Sequence, residues 1–176
     1  MQRWDDRLEI WAAQYRQRLH GVATIATQPG AWYGQSGMAV VAGGVLLAMR
    51  MDPIMTIAIP LACASIGAII SHRLVKLVYH RARPAGALAR GKTEAAYPSG
   101  HTATATAVLA TCAFMFVREG TMAPSVAALV VVILALTTGL SRVALGWHWG
   151  SDVVGGWFAG ACVASLSAAA FNALQG

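Results

Sequence analysis

Residues 97–117, which decide the fold, read "YPSGHTATATAVLATCAFMFV". The first residues favour a turn and a helix start, because Ser99 is a good N-cap and Gly100 lets the backbone turn freely. The residues after His101 are small or apolar, and such a run is typical of a helix that crosses a bilayer. A serine and a histidine therefore lie at the mouth of a predicted membrane helix. They are either a helix cap and an interfacial residue or part of a chemical site.

The composition of the whole chain indicates a membrane protein. Of its 176 residues, 57% are hydrophobic and only 11% are charged, which excludes an ordinary soluble domain. The net charge of +6 comes from basic residues that lie between apolar runs rather than along one soluble face, so we expect no nucleic-acid partner. The cysteines Cys63, Cys112 and Cys162 lie inside apolar runs, lack metal-ligand spacing and are predicted to be packing residues.

Five apolar runs predict an all-α integral membrane helical bundle with about five transmembrane helices. These runs cover residues 31–49, 53–74, 101–117, 124–140 and 153–173. An amphipathic pattern before them predicts an N-terminal helix that lies in the membrane interface. We therefore divide the chain into an interfacial helix with its connector, residues 1–30, and one transmembrane domain, residues 31–176.

Five crossings bring three polar clusters to one end of the bundle. In the first, Lys76 and Arg83 are close to two helical turns apart, so both side chains are predicted to point the same way before Pro84 ends the helix. The second is the helix mouth at residues 98–101, whose free N–H groups and dipole favour an anion that Gly100 lets approach closely. Taken singly, snorkelling basic residues and a helix cap explain both clusters.

The third cluster contains Arg142, His148 and Asp152. His148 and Asp152 are four residues apart, so the carboxylate can accept the imidazole N–H and leave the other nitrogen free as a base or nucleophile. Arg142 offers a planar fork that suits phosphate oxygens. A structural hydrogen bond also explains a single His–Asp pair. Three such clusters near bilayer depth are costly, however, and together they suit a multiply charged anion, a nucleophile and a second histidine that protonates a leaving group.

Three segments, "KLVYHRARP", "PSGH" and "SRVALGWHWGSD", resemble in order and spacing the signature motifs of the type 2 phosphatidic acid phosphatase superfamily. The resemblance covers about residues 53–172. It implies that His148 attacks phosphorus to form a phosphohistidine while Asp152 orients its imidazole, and that His101 protonates the leaving oxygen and then activates water. The residues implied to bind the phosphoryl oxygens are Lys76, Arg83, Ser99, Gly100 and Arg142. Members of this kind need no metal and no cofactor.

The resemblance implies a membrane lipid phosphatase whose phosphatase domain is residues 31–176. The candidate substrates are polyprenyl phosphates or diphosphates, phosphatidate, phosphatidylglycerophosphate and a lipid-linked sugar phosphate. One alternative is a vanadate-dependent haloperoxidase, which the membrane spans and the short chain disfavour. The other is a non-catalytic lipid-binding or transport protein, which the intact His101, His148 and Asp152 disfavour. The expected partners are the lipid phosphate substrate and membrane lipids.

The expected location is the bacterial cytoplasmic membrane. The site is expected on the cytoplasmic face, because the end of the bundle that carries it has more basic residues than the opposite end. The sequence does not give the number of subunits. Several residues that have no role in the implied reaction are interpreted as peripheral. Arg81, Arg90 and Lys92 are expected to be solvated loop charges, His72 an interfacial or loop residue, and Trp147 and Trp149 interface anchors that can shape the site entrance.

Overall fold

The computed structural model describes residues 2–48 and 58–175, and these residues form helices and connections without any strand. The helices are α1 Gln2–Ala26, α2 Trp32–Ala48, α3 Ile59–Val78, α4 Ala85–Ala89, α5 Gly100–Arg118, α6 Pro124–Ala144 and α7 Gly150–Gln175. A short 3-10 helix, Gln28–Gly30, joins α1 to α2. The prediction of an all-α membrane bundle is confirmed.

Four helices are long and apolar enough to cross a membrane: α3, α5, α6 and the Gly150–Ala173 part of α7. They correspond to the last four predicted spans, although residues 53–57 lie outside the described residues. The first predicted span, residues 31–49, contains α2, which has 17 residues. At 1.5 Å per residue α2 is about 26 Å long, near the lower limit for crossing the hydrocarbon core.

Helix α5 lies at the centre of the bundle and packs against α3, α6 and α7. Its contact with α7 is very close because α7 presents glycines four residues apart on one face. A Cβ added at Gly160 would lie 2.5 Å from the carbonyl oxygen of Ala103, and one added at Gly156 would lie 2.8 Å from that of Ser99. The small residues of these spans therefore let the two helix backbones touch.

Helix α1 packs against α6 and α7 at the end of the bundle where α7 begins. Leu8 joins a buried cluster of Ala12, Val143 and Val153. Arg16 donates a hydrogen bond of 3.1 Å to the Ala144 carbonyl, one of the free carbonyls at the C-terminus of α6. The division of the chain at residue 30 stays a prediction, but α1 is packed onto the helices that carry the third motif.

Candidate active site

The loop between α6 and α7 holds His148 beside Asp152. Gly146 turns the chain with a φ of 66°, and the backbone N–H of Trp147 then donates to the Arg142 carbonyl at 2.9 Å. His148 is only 3% exposed, and Asp152, in the first turn of α7, is fully buried. The Trp149 backbone N–H donates to Asp152 Oδ2 at 2.9 Å. These bonds fix both side chains of the predicted pair.

The two side chains of the pair are close but not hydrogen-bonded. His148 Nδ1 lies 3.4 Å from Asp152 Oδ2, and Nδ1 makes no hydrogen bond within the described part of the chain. On the other side of the ring, Nη1 of Arg83 lies 3.3 Å from His148 Nε2. Because arginine can only donate, Nε2 accepts, and the hydrogen of the neutral ring is on Nδ1, facing Asp152. At 3.4 Å the two atoms are slightly farther apart than in an ordinary N–H···O hydrogen bond, so a small movement of either side chain would form one.

Burial lowers the pKa of His148 to about 4. Asp152 acts in the opposite direction, whereas the charges of Arg83 and Arg142 lower the pKa further. His148 is therefore neutral at pH 7, which leaves the lone pair of Nε2 available to a nucleophilic or basic role.

Arg83 reaches His148 from an extended segment rather than from a helix. Helix α3 ends at Val78, so the prediction that Lys76 and Arg83 share one helix face is wrong. Arg83 is instead held by its own hydrogen bonds, from Nε to the Glu94 carbonyl and from Nη1 to the Trp147 carbonyl, both 3.0 Å long. Both basic residues nevertheless line the same cavity.

This cavity has a volume of about 550 Å³ and adjoins His148. The predicted site residues that line it are Lys76, Arg83, Gly100, His101, Arg142 and His148. Asp152 lies behind His148, outside the cavity lining. The cavity wall is strongly cationic, and a cationic cavity beside a membrane suits an anionic headgroup.

Of the five predicted phosphate-binding residues, Ser99 alone does not line this cavity. It is fully buried, and its hydroxyl accepts a 2.9 Å hydrogen bond from Thr102. Its backbone N–H donates to the Asp152 carbonyl at 2.9 Å. Ser99 thus joins the start of α5 to the start of α7, so two of the motifs meet at this point.

Arg142 lies on the cavity wall with part of its guanidinium unpaired. Its Nη1 donates to Thr27 Oγ1 at 3.0 Å, while its Nε is buried without a hydrogen-bond partner among the described residues. A buried N–H without a partner is costly, and an anion in the cavity would satisfy it. Thr27 follows α1, outside the motifs, and its proximity to Arg142 had no signal in the sequence.

The helix mouth at residues 98–101 is enclosed on two sides. Gly30 packs on the backbone of His101 so closely that an added Cβ would lie 2.5 Å from its carbonyl oxygen. Gly100 packs against the imidazole of His72, whose Cε1 would lie 3.0 Å from an added Cβ. His72, which is interpreted from the sequence as an interfacial or loop residue, lies on α3 and lines the cavity. Its position four residues before Lys76 on α3 was the available signal.

The interpretation of Arg81 as a solvated loop charge is wrong, because Arg81 is partly buried, whereas Arg90 is exposed, as expected. Arg81 donates to Asp152 Oδ1 at 3.0 Å and to Asp5 Oδ2 at 2.6 Å. Arg90 donates to the Leu145 carbonyl at 2.9 Å, and its guanidinium lies 4.1 Å from the ring centroid of Trp147. These two arginines hold the loop that carries His148.

Lys92 and Trp149 also have places near the site. Lys92 is exposed, as expected, and lines the cavity. Trp149 was interpreted as an interface anchor, but its indole N–H donates to the Ala82 carbonyl at 2.8 Å. It therefore ties the segment before Arg83 to the loop after His148.

Comparisons with known proteins agree with this geometry. The family model of the PAP2 superfamily matches residues 56–175. The chain belongs to the PAP2 superfamily. The resemblance carried by the three motifs is therefore confirmed. Together with the membrane helices, it places this PAP2 protein among the membrane lipid phosphatases in general.

A solved structure has the same fold as this PAP2 protein. It is the crystal structure of a transmembrane PAP2-type phosphatidylglycerolphosphate phosphatase from Bacillus subtilis. It is 24% identical in sequence and superposes with a TM-score of 0.77 over 94% of this chain and 83% of that chain. No curated protein matches the PAP2 chain. The family model begins at residue 56, so α1 and α2 lie outside it.

Proposed function

We propose that this protein is a metal-independent lipid phosphate phosphatase that works through a phosphohistidine at His148. The observation that carries the proposal is a neutral imidazole whose Nε2 adjoins a cationic cavity while its Nδ1–H faces a buried carboxylate. Arg83 and Asp152 hold the ring from opposite sides. This is the arrangement that a nucleophilic histidine requires, because attack by Nε2 creates positive charge that the carboxylate stabilises.

The proposed reaction uses the charged groups and the two histidines of the cavity. Lys76, Arg83 and Arg142 bind the phosphoryl oxygens and stabilise the charge that builds in the transition state. Nε2 of His148 forms a bond to phosphorus as the bond from phosphorus to the lipid oxygen breaks, and His101 donates a proton to that oxygen. His101 then takes a proton from water as the water attacks the phosphohistidine. Phosphate leaves and His148 returns to its starting state.

An apolar cavity of about 400 Å³ supports a substrate with a hydrocarbon tail. It lies between α2, α5 and α6 and is lined by side chains such as Val41, Leu109 and Leu134. Helix α2 borders both cavities, with Gln35 at the cationic one and Gly34 at the apolar one. A headgroup at His148 and a tail beside α2 would fit one amphipathic lipid.

Phosphate release by the detergent-purified protein in the presence of EDTA tests the proposal. The panel contains a polyprenyl diphosphate, phosphatidate, phosphatidylglycerophosphate and a soluble phosphomonoester. We expect turnover of at least one lipid, little turnover of the soluble ester, and loss of turnover in His148→Ala. The matched control is His80→Ala, because His80 is an exposed histidine of the same end of the bundle. Full turnover by His148→Ala, or lipid binding without turnover by the wild type, would contradict the proposal.

We also infer that the site faces the cytoplasm. The support is the charge bias, since the basic residues of α1 and of the loop after α3 lie at the site end, whereas Arg118 lies at the other end. The test places one cysteine at Thr121, between α5 and α6, after the three native cysteines are replaced by alanine. Labelling by an impermeant thiol reagent added outside intact cells is expected. Labelling only after the membrane is broken would overturn the orientation.

A further inference from the structure

The side chain of Asp5 is fully buried at the edge of the site, although the helix that carries it is largely exposed. Its Oδ1 accepts a 2.9 Å hydrogen bond from the backbone N–H of Ser151, and its Oδ2 accepts one of 2.7 Å from the Ser151 hydroxyl. Oδ2 also accepts the 2.6 Å bond from Arg81. A carboxylate with this many charge-assisted and neutral partners is fixed in one orientation.

Arg81 connects this carboxylate to the proposed catalytic pair. While Nη2 donates to Asp5, Nη1 donates to Asp152 Oδ1 and to the Ser151 hydroxyl. The guanidinium also lies 5.5 Å from the ring centroid of Trp149. One arginine therefore bridges two buried carboxylates, and its planar fork sets the orientation of both.

The two oxygens of Asp152 have separate partners as a result. Oδ1 is occupied by Arg81, and Oδ2 faces the Trp149 N–H and His148 Nδ1. Asp5 shares the positive charge of Arg81. Without the charge of Asp5, Arg81 would attract Asp152 alone and draw the Asp152 carboxylate away from His148. The net positive charge near the His148 imidazole would also rise, although that imidazole must itself become positive during the reaction.

Asp5 is ionised at neutral pH. Burial alone would raise its pKa, but the hydrogen bonds from Arg81 and Ser151 outweigh burial and hold the pKa of Asp5 below its ordinary value. The charge is not needed merely to attach α1, because the apolar contacts of Leu8 and Ala12 already pack α1 against α6 and α7.

We propose that Asp5 is a positioning residue for phosphoryl transfer, which acts through Arg81 to keep Asp152 available to His148. The inference rests on the proposed function. It makes α1, which lies outside the segment matched by the family model, a working part of the active site.

The test compares Asp5→Asn with Asp6→Asn in the full-length protein. Asp6 carries the same charge one residue away and is exposed. We expect Asp5→Asn to lower kcat by about 10- to 100-fold, the range seen when hydrogen-bond partners behind catalytic or metal-bound groups are removed, with KM changed by less than about threefold. Asp6→Asn should keep the wild-type kcat. Leu8→Ala, which weakens packing only, should lower Tm without changing the kcat of the folded fraction.

A binding measurement gives a readout that does not need turnover. Orthovanadate can accept a bond from a nucleophile and become five-coordinate, whereas inorganic phosphate reports only on the cationic wall. We expect Asp5→Asn to weaken vanadate binding by at least about tenfold and phosphate binding by less than about twofold. Equal loss of both, or no loss of either, would overturn the positioning role, as would a wild-type kcat in Asp5→Asn.

Failure of the proposed function and failure of Asp5→Asn to fold can each be distinguished from failure of the positioning role. If the wild type released no phosphate from any lipid, the proposed function would fail, and the vanadate-to-phosphate comparison would decide on Asp5 alone. If Asp5→Asn did not fold, Arg81→Gln would replace it, because glutamine keeps a donor without the charge. The same loss of kcat at unchanged KM is expected, and a wild-type kcat in Arg81→Gln would overturn the proposal.

Discussion

Replacing Asp152 by asparagine should remove most of the activity while leaving the fold in place. Asparagine has the same shape but one acceptor fewer, and both oxygens of Asp152 face donors. In either orientation, the new NH₂ group therefore faces Arg81 or the Trp149 N–H. If the NH₂ group turns towards His148, it donates a hydrogen bond to Nδ1, so the ring hydrogen must move to Nε2. The lone pair of Nε2 that attacks phosphorus is then lost.

The magnitude follows from the distance between the two side chains. When the imidazole becomes positive during attack, its Nδ1 is 3.4 Å from Asp152 Oδ2. At an effective dielectric constant of about 20, this attraction is about 5 kcal/mol, which corresponds to roughly 10³- to 10⁴-fold in rate. Loss of the orienting aspartate in serine hydrolases costs a similar factor, about 10⁴. The unpaired buried donor should also cost about 1–3 kcal/mol of stability.

The assay is phosphate release at saturating lipid, together with thermal unfolding in the same detergent. Asp152→Asn should unfold cooperatively at a somewhat lower Tm and lose roughly 10³-fold or more in kcat. Glu119→Gln, which removes a carboxylate at the other end of the bundle, is the matched control and should retain full activity. A kcat for Asp152→Asn within tenfold of the wild type would refute the role assigned to this carboxylate.

Three other predictions concern the nucleophile, its arginine and the helix contact. Because neutral His148 is the reactive form and burial lowers its pKa to about 4, kcat/KM corrected for substrate ionisation should fall as the pH drops through about 4; an acid limb near 6.5 would contradict this. Arg83→Lys should lower kcat about 10- to 100-fold, since lysine cannot keep the bonds to Glu94, Trp147 and His148 together, whereas Arg73→Lys on the exposed face of α3 should not. Gly160→Leu should destabilise the protein by about 1–3 kcal/mol in thermal unfolding, because its Cβ meets the Ala103 carbonyl. Gly21→Leu should not lower Tm, because its added Cβ would meet nothing within 4 Å beyond its chain neighbours and the adjacent helix backbone.

The parts of the fold and site that depend on local spacing could be predicted from the sequence. The apolar runs predict the membrane helices because bilayer thickness sets their length, and His148 and Asp152 are four residues apart around the start of α7. Of the predicted phosphate-binding residues and the two motif histidines, all except Ser99 line the cavity. The prediction that Lys76 and Arg83 share one helix face was wrong, because α3 ends at Val78, before Arg83.

The contacts made by α1 could not be predicted, because no local pattern encodes them. Asp5 is 76 residues from Arg81 and 146 from Ser151, and a charged residue on an amphipathic helix ordinarily faces water. The same is true of Thr27, which is 115 residues from Arg142. Such pairs form only when α1 packs against α6 and α7, and this packing joins segments that are far apart in the sequence.

Trapping the covalent intermediate tests directly whether His148 forms a phosphohistidine. The wild-type protein is mixed with a lipid substrate that carries a ³²P label on its phosphoryl group. The reaction is quenched within the first turnover, and the labelled peptide is identified. We predict an acid-labile, base-stable phosphoryl group on the peptide that contains His148, absent from His148→Ala and present in His80→Ala. Wild-type turnover without label on His148, or label on another residue, would contradict it.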